Sequence, residues 1–353
     1  MKVLVSALEA SSNFHLKTLL RHLNQDQIEL LGIFDRSLGC PIYGPEDFSV
    51  MGFIDVVKKL SFLMQAQKQM VKLSQEADKV LLLDSSSFHL PLAKKIKKLY
   101  PEKEIIYYIL PQVWAWKPWR AKELEKNCDR LAAILPFEVN YYQSKAEYVG
   151  HPLLDSIMQC KESIKGDGIV FMPGSRRGEI QRILTDFYLL AEKYFQQKRK
   201  ILVVPKMWEN KDLKEIYGEK INLFEIYFDA REALLEAEFA FICSGTATLE
   251  AALIGTPFVL AYRARNFDYY IYKSLIGLSC IGLANIFYQA ICGQVAGRGN
   301  VFLHPELIQS ECSAENLYRA YKNMDKEQFF IDSKKIHSYL GHGSAKNIAK
   351  WIL

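Results

Sequence analysis

The stretch 168-GIVFMPGSRRGEIQR-182 changes character once, at Pro173. Gly168 to Met172 is a short, uninterrupted apolar run of the kind a fully buried strand needs. Pro173-Gly174-Ser175 reads as a tight turn, Arg176 and Arg177 follow, and helical spacing begins near Gly178-Glu179 and runs to about residue 196. Strand, turn and helix in that order make half of a βα unit. The same order recurs in 242-ICSGTATLEAALIGTPFVLAY-262, where a strand ends at Cys243, a helix covers 246–254 and a further strand covers 258–262. Working outward, strands are expected at 2–7, 28–34, 79–84, 104–110, 200–205 and 239–243, with helices at about 12–24, 53–75 and 88–99. Strands alternating with helices build parallel sheets. The polar run Gln159 to Gly168 breaks the alternation and serves as the linker. The expectation is an α/β protein with two doubly wound, Rossmann-like domains over 1–160 and 168–335, and a segment 336–353 that packs back on the first domain.

Composition narrows the class. With 353 residues, 50% hydrophobic and 24% charged, the chain is an ordinary globular one and not disordered or fibrous. The seven cysteines are odd in number and scattered, with no CxxC pair, which argues against a disulfide framework or a zinc knuckle and for a reducing compartment. The N-terminus lacks the long apolar core of a signal peptide and reads as a first strand. Ser274 to Gly297 carries no charge, but Asn285, Gln289, Gln294 and four glycines argue for a buried or lipid-facing loop and helix over a membrane span. A net charge of +5 suits anionic small molecules or an anionic membrane surface.

Two turns carry phosphate chemistry. After 168–172, Gly174 allows close backbone approach, Ser175 stands next to the N–H groups of a helix start, and Arg176 supplies a guanidinium for a diphosphate. After 239–243, Ser244, Gly245 and Thr246 open a second helix, with Glu250 one turn further on, where a carboxylate can accept from ribose hydroxyls. A solvated turn and a capped core helix fit each segment separately. Together they point to a nucleoside diphosphate, and the absence of GxxxxGK[ST] and GxGxxG sets aside P-loop and dinucleotide folds. In the N-terminal half, Glu9 follows the first strand and Asp84 ends the third, both where open α/β sheets place ligands. Helix capping or ion pairing are the plainer roles for these carboxylates, and capping or core roles suit His15, His89 and His151. Three tryptophans in 110-LPQVWAWKPWR-120 fit core packing, a hinge, or a sugar or acyl site. Helix 53–75 places Phe53, Val56, Val57, Leu60, Leu63 and Met64 on an apolar stripe. Phe62 falls off it among Lys58 and Lys59, a pattern suited to an anionic membrane surface.

In order along the chain, EAS, MGFIDVVKKL, PQVWAWKPWR, LPFE, YVGHPLLD, MPGSRRGEI and SGTATLEAAL resemble the lipid-A-disaccharide synthase family over about residues 1–325. The resemblance implies the GT-B arrangement, two Rossmann-like domains facing a cleft. It implies inverting transfer of 2,3-diacylglucosamine from UDP to 2,3-diacylglucosamine 1-phosphate, giving a β(1→6) disaccharide and UDP. It maps the family's EASGD onto Glu9 to Asn13 and its DxPDF onto Asp84 to Phe88, so the second aspartate, a base candidate in the family, is Ser87 here. It also points to Asn285 and Glu306, from the family's LPNLLAGR and ELLQ segments, as UDP-sugar contacts. The resulting assignment gives Asp84 the role of base with Glu9 behind it, and gives the donor to Gly174, Ser175, Arg176, Ser244, Gly245, Thr246, Glu250, Asn285 and Glu306. No metal or other cofactor and no nucleic acid is expected. The implied setting is the cytoplasmic face of a Gram-negative-type inner membrane, bound peripherally through Lys58, Lys59 and Phe62. Alternatives are another GT-B enzyme on UDP-sugars, such as a muramyl-lipid GlcNAc transferase or a UDP-GlcNAc epimerase, or a non-catalytic phosphosugar-binding membrane protein.

Overall fold

The computed structural model describes residues 1–49, 56–157, 159–243, 245–264 and 277–353. Contacts divide the chain into two units, Met1–Asp155 with Leu340–Leu353, and Ser156–Tyr339.

The first unit holds β1 (Lys2–Ser6), β2 (Glu29–Ile33), β3 (Lys79–Leu83), β4 (Glu104–Tyr108), β5 (Arg130–Ala133) and β6 (Ala146–Tyr148). They pair in parallel in the order β2-β1-β3-β4-β5-β6. Aliphatic and β-branched residues fill the central strands because both faces are covered by helices. Val3, Val5, Leu81, Leu83 and Ile106 face one layer, and Leu4, Val80, Leu82, Ile105 and Tyr107 the other. The last helix, Ser344–Ile352, buries Ile348, Trp351 and Ile352 in the first of these layers. Asp155 accepts the N–H groups of Gly343 and Ala345 at its start, and Lys79 Nζ donates to the Trp351 carbonyl at its end.

The second unit holds β7 (Gly168–Met172), β8 (Arg199–Val203), β9 (Glu225–Tyr227), β10 (Ala237–Ile242), β11 (Phe258–Tyr262) and β12 (Glu306–Ile308). They too are parallel, in the order β12-β11-β10-β7-β8-β9. Phe171, Phe187, Phe239 and Phe241 form its aromatic centre.

Each order reverses once. Strand order switches direction between β1 and β3 in the first unit and between β7 and β10 in the second. Helices leave opposite faces of the sheet at such a point, which opens a crevice beyond the carboxyl ends of the two strands. The uncharged segment contributes the nine-residue helix Leu283–Ile291, and no described helix is long and apolar enough to cross a membrane.

Candidate functional site

The switch point of the second unit is flanked by the two phosphate-type turns. β7 runs into Pro173-Gly174-Ser175, and β10 into Cys243 and Gly245. Gly174 has φ +104 and Gly245 φ +88, backbone conformations that L side chains strain to adopt. Helices Arg177–Tyr194 and Thr246–Ile254 start there, with their first N–H groups unpaired within the helix. Gly174, Ser175, Arg176, Gly245 and Thr246 line one cavity of about 370 Å³. Ser244 lies outside the described residues. Glu179 also lines this cavity, and its carboxylate accepts from Arg176 Nη1 at 2.9 Å. Arg176 is 82% exposed and so is free to turn to another anion.

Glu250 lies one turn into the second helix and is held by Arg231, whose Nε donates to Oε1 at 2.8 Å. The same guanidinium donates to the carbonyl and hydroxyl of Ser156. Asn285 and Glu306 lie apart from the 370 Å³ cavity. Glu306 is mostly buried and accepts from the N–H groups of Ile281 and Gly282 and from Asn285 Nδ2. Asn285 in turn accepts from the N–H groups of Leu303 and His304. These bonds tie the start of helix Leu283–Ile291 to β12. Burial pushes the Glu306 carboxyl up from its ordinary value.

At the switch point of the first unit, Glu9 caps helix Ala10–Leu20 after β1, and Asp84 directly follows β3. Asp84 and Ser85 have φ +57 and +38, a strained pair with no glycine to relieve it. The turn is braced through the Asp84 carbonyl. Tyr107 Oη donates to it, and His89 Nδ1 lies 2.7 Å away. That carbonyl can only accept, so His89 carries its proton on Nδ1 and its Nε2 accepts from Ser6 Oγ at 2.8 Å. Burial lowers the His89 pKa to about 4, keeping the ring neutral. Burial, with the charge of Glu9 second, raises the Asp84 carboxyl above its ordinary value. Ser85 Oγ and Glu9 Oε1 are 3.4 Å apart. Neither Tyr107 nor His89 stood out in the sequence as a support for Asp84, because both lie in segments that read as plain strand and helix.

Beside Glu9 and Ser85 a cavity of about 690 Å³ opens, walled by Phe48, Phe62, Leu63 and Phe88. This corrects the expected helix face. Phe62 does not point outward; its ring lies 5.0 Å from Tyr43 and 5.3 Å from Phe48. Leu60 and Met64, expected to face inward, are 58% and 59% exposed. Residues 43–48 supply a wall that the helix's own periodicity cannot reveal. Residue 53 and the side chains of Lys58 and Lys59 lie outside the described residues. No group of three or more His, Cys, Asp or Glu suited to a metal ion occurs among the described residues.

Two parallel, doubly wound units define a two-domain α/β protein of the GT-B kind, and solved structures share that fold. A UDP-N-acetylglucosamine 2-epimerase-like protein of Listeria monocytogenes matches with a TM-score of 0.61 at 13% identity, over 98% of this chain and 94% of the other. A protein of O. sativa crystallised with UDP matches with a TM-score of 0.60 at 13% identity, over 99% of both chains. The profile of the lipid-A-disaccharide synthetase family matches residues 3–349. A lipid-A-disaccharide synthase of Helicobacter pylori (strain G27) is 58% identical over 98% of this chain and 96% of its own length. That of Campylobacter jejuni (strain RM1221) is 45% identical over 98% of both. The chain belongs to the lipid-A-disaccharide synthase family and is a glycosyltransferase.

Proposed function

We propose that the two strand-edge sites divide the work of one inverting sugar transfer. The reaction moves 2,3-diacylglucosamine from UDP to O6 of 2,3-diacylglucosamine 1-phosphate, releasing UDP. In the second unit, the helix-start N–H groups near Ser175 and Thr246, together with Arg176, take up charge as the diphosphate leaves. Glu250 keeps Oε2 for the ribose while Arg231 holds Oε1. In the first unit, Asp84 removes the O6 proton. Burial, with the charge of Glu9 second, raises its pKa, which makes it a stronger base than an exposed aspartate. Glu9 keeps Asp84 basic through its charge.

The observation that carries this reading is that both turns of the second unit, from segments about 70 residues apart, line one cavity at its switch point. Purified protein given UDP-diacylglucosamine and the 1-phosphate acceptor should release UDP and form a disaccharide of the expected mass. UDP-sugar that binds without turnover when acceptor is added would show a binding protein instead.

The substrates carry acyl chains, and we assign peripheral docking on an anionic membrane surface to helix Val56–Leu73. Exposed Leu60 and Met64 replace Phe62 as its apolar contacts, with Lys68 and Lys72 beyond them. Leu60→Ser with Met64→Ser should reduce co-sedimentation with anionic vesicles at low salt and leave UDP binding intact.

A further inference from the structure

We propose that the 690 Å³ cavity of the first unit is an acyl-chain pocket, which takes one acyl chain of the acceptor and sets the chain length the enzyme accepts. The inference rests on the placement of the acceptor at Glu9 and Asp84 argued above.

The lining of the cavity selects its occupant. Phe48, Phe62 and Phe88 meet edge to face, with ring centroids 5.3 Å apart for Phe48–Phe62 and 6.0 Å for Phe48–Phe88. Leu8 and Leu63 extend the same apolar wall. Among the described residues no lysine or arginine lines the cavity. Gln67 is the polar group on the helix wall, and its amide is already engaged. Nε2 donates to the Phe88 carbonyl at 3.0 Å, and Oε1 accepts from Lys95 at 2.7 Å. A sugar ring, which needs donors and acceptors around it, is therefore excluded from the apolar part. The remaining polar lining, Glu9, Ser85 and Ser87, lies at the strand edge. That is the polarity of an amphiphile, with its sugar at the strand edge and its chain among the phenylalanines.

Size and access agree. About 690 Å³ lies within the usual range of roughly 300–1,000 Å³ for small-molecule sites. Leu60 and Met64 line the same cavity and are exposed, so an apolar path joins its interior to the surface. The chain can thus enter without its methylenes crossing water, at about 0.8 kcal/mol each. Phe62 and Met64 lie on opposite sides of the question. Phe62 forms a wall, and removing its ring lengthens the pocket. Met64 stands at the exposed rim, where a larger side chain shortens it.

The test uses the full-length enzyme, acceptors with a graded series of acyl lengths, and the variants Met64→Trp and Phe62→Ala. Each methylene excluded from the pocket should lower kcat/KM by about fourfold. Met64→Trp should therefore reduce the ratio of kcat/KM for long against short acceptors, and Phe62→Ala should move the optimum to longer chains. In parallel, n-alkyl β-glucosides of graded length are titrated into the same three proteins. Their affinity should rise with chain length in the wild type and level off earlier in Met64→Trp. Length profiles that coincide in all three proteins, in turnover and in glucoside binding, overturn the pocket. Length-dependent glucoside binding that responds to Met64→Trp, in an enzyme that never releases UDP, would retain the pocket and reject the catalytic reading instead.

Discussion

The two switch points solve the same geometric problem with different materials. In the second unit the chain turns on glycines, Gly174 and Gly245, and presents the backbone N–H groups of two helix starts. In the first unit it turns on Asp84 and Ser85, with positive φ and no glycine, and offers side chains. Backbone donors need only the right turn, and glycine supplies that at little strain. A catalytic carboxylate needs its own Cβ at the turn, so the strain must be held from outside, here by Tyr107 and His89 on the Asp84 carbonyl. On the proposed assignment, a phosphate site is therefore built locally, and a base site is built from afar.

The contrast is sharpest for the base. Asp84→Asn preserves the shape of the turn and removes the proton acceptor, so kcat should fall about 10²- to 10⁴-fold. Because burial and Glu9 raise the Asp84 pKa, the wild-type rate should climb with pH through a value above the ordinary aspartate range, and Glu9→Gln should move that limb to lower pH. An Asp84→Asn enzyme of normal kcat would break the comparison at once.

On the other side, Arg176→Ala deletes one charged contact of about 1.5–3 kcal/mol, or roughly ten- to 150-fold in kcat/KM. The loss should be smaller than at Asp84, because the helix-start N–H groups remain. A loss equal to that of Asp84→Asn would show that the backbone contributes little.

The first unit keeps a second unrelieved group just beyond β5. Glu138 is 1% exposed, and among the described residues neither of its carboxylate oxygens has a hydrogen-bond partner. Trp114 Nε1 and Tyr142 Oη are likewise unpartnered. Burial pushes the Glu138 carboxyl well above its ordinary value, against the pull of nearby backbone N–H groups. The folded protein thus holds a proton that the unfolded chain releases above pH ~4.3. The contribution of Glu138 to stability is intact below that pH and declines as pH rises toward its folded pKa, by up to about 1.4 kcal/mol per unit. Glu138→Gln should accordingly raise Tm more at pH 7 than at pH 4.5 in thermal unfolding scans. An equal shift at both values would mean that the carboxyl is ionised in the fold.

The same contrast explains what the sequence disclosed. The central strands and both glycine turns were legible because apolar runs and positive-φ residues are local properties. The short strands β5, β6, β9 and β12 were not, since three or four residues at or next to a sheet edge carry too little periodicity. Glu9 and Asp84 were visible as strand-end carboxylates, but the bracing that makes Asp84 a special residue comes from β4 and from the helix Ser86–Leu99. Phe62 was misplaced because Tyr43 and Phe48 reach it from another segment. The hydrogen bond that joins Asn285 to Glu306 spans 21 residues and shows only in three dimensions.

The smallest effect tests whether the second unit's site is as local as it looks. Glu179 sits in the cavity assigned to the diphosphate and holds Arg176 at 2.9 Å. Its carboxylate repels an incoming diphosphate and competes with it for one guanidinium. Both effects oppose UDP binding, although the pair is also a favourable arrangement at a helix start. Half of the pair is well exposed, so its energy is modest, about 0.2–1 kcal/mol. Glu179→Gln should tighten UDP binding by about 1.5- to fivefold in calorimetry. In an Arg176→Ala background the gain should shrink, because competition is gone and only repulsion remains. Weaker UDP binding in Glu179→Gln would mean that the carboxylate aims Arg176 at the ligand, and that the phosphate site, like the base site, depends on a braced side chain.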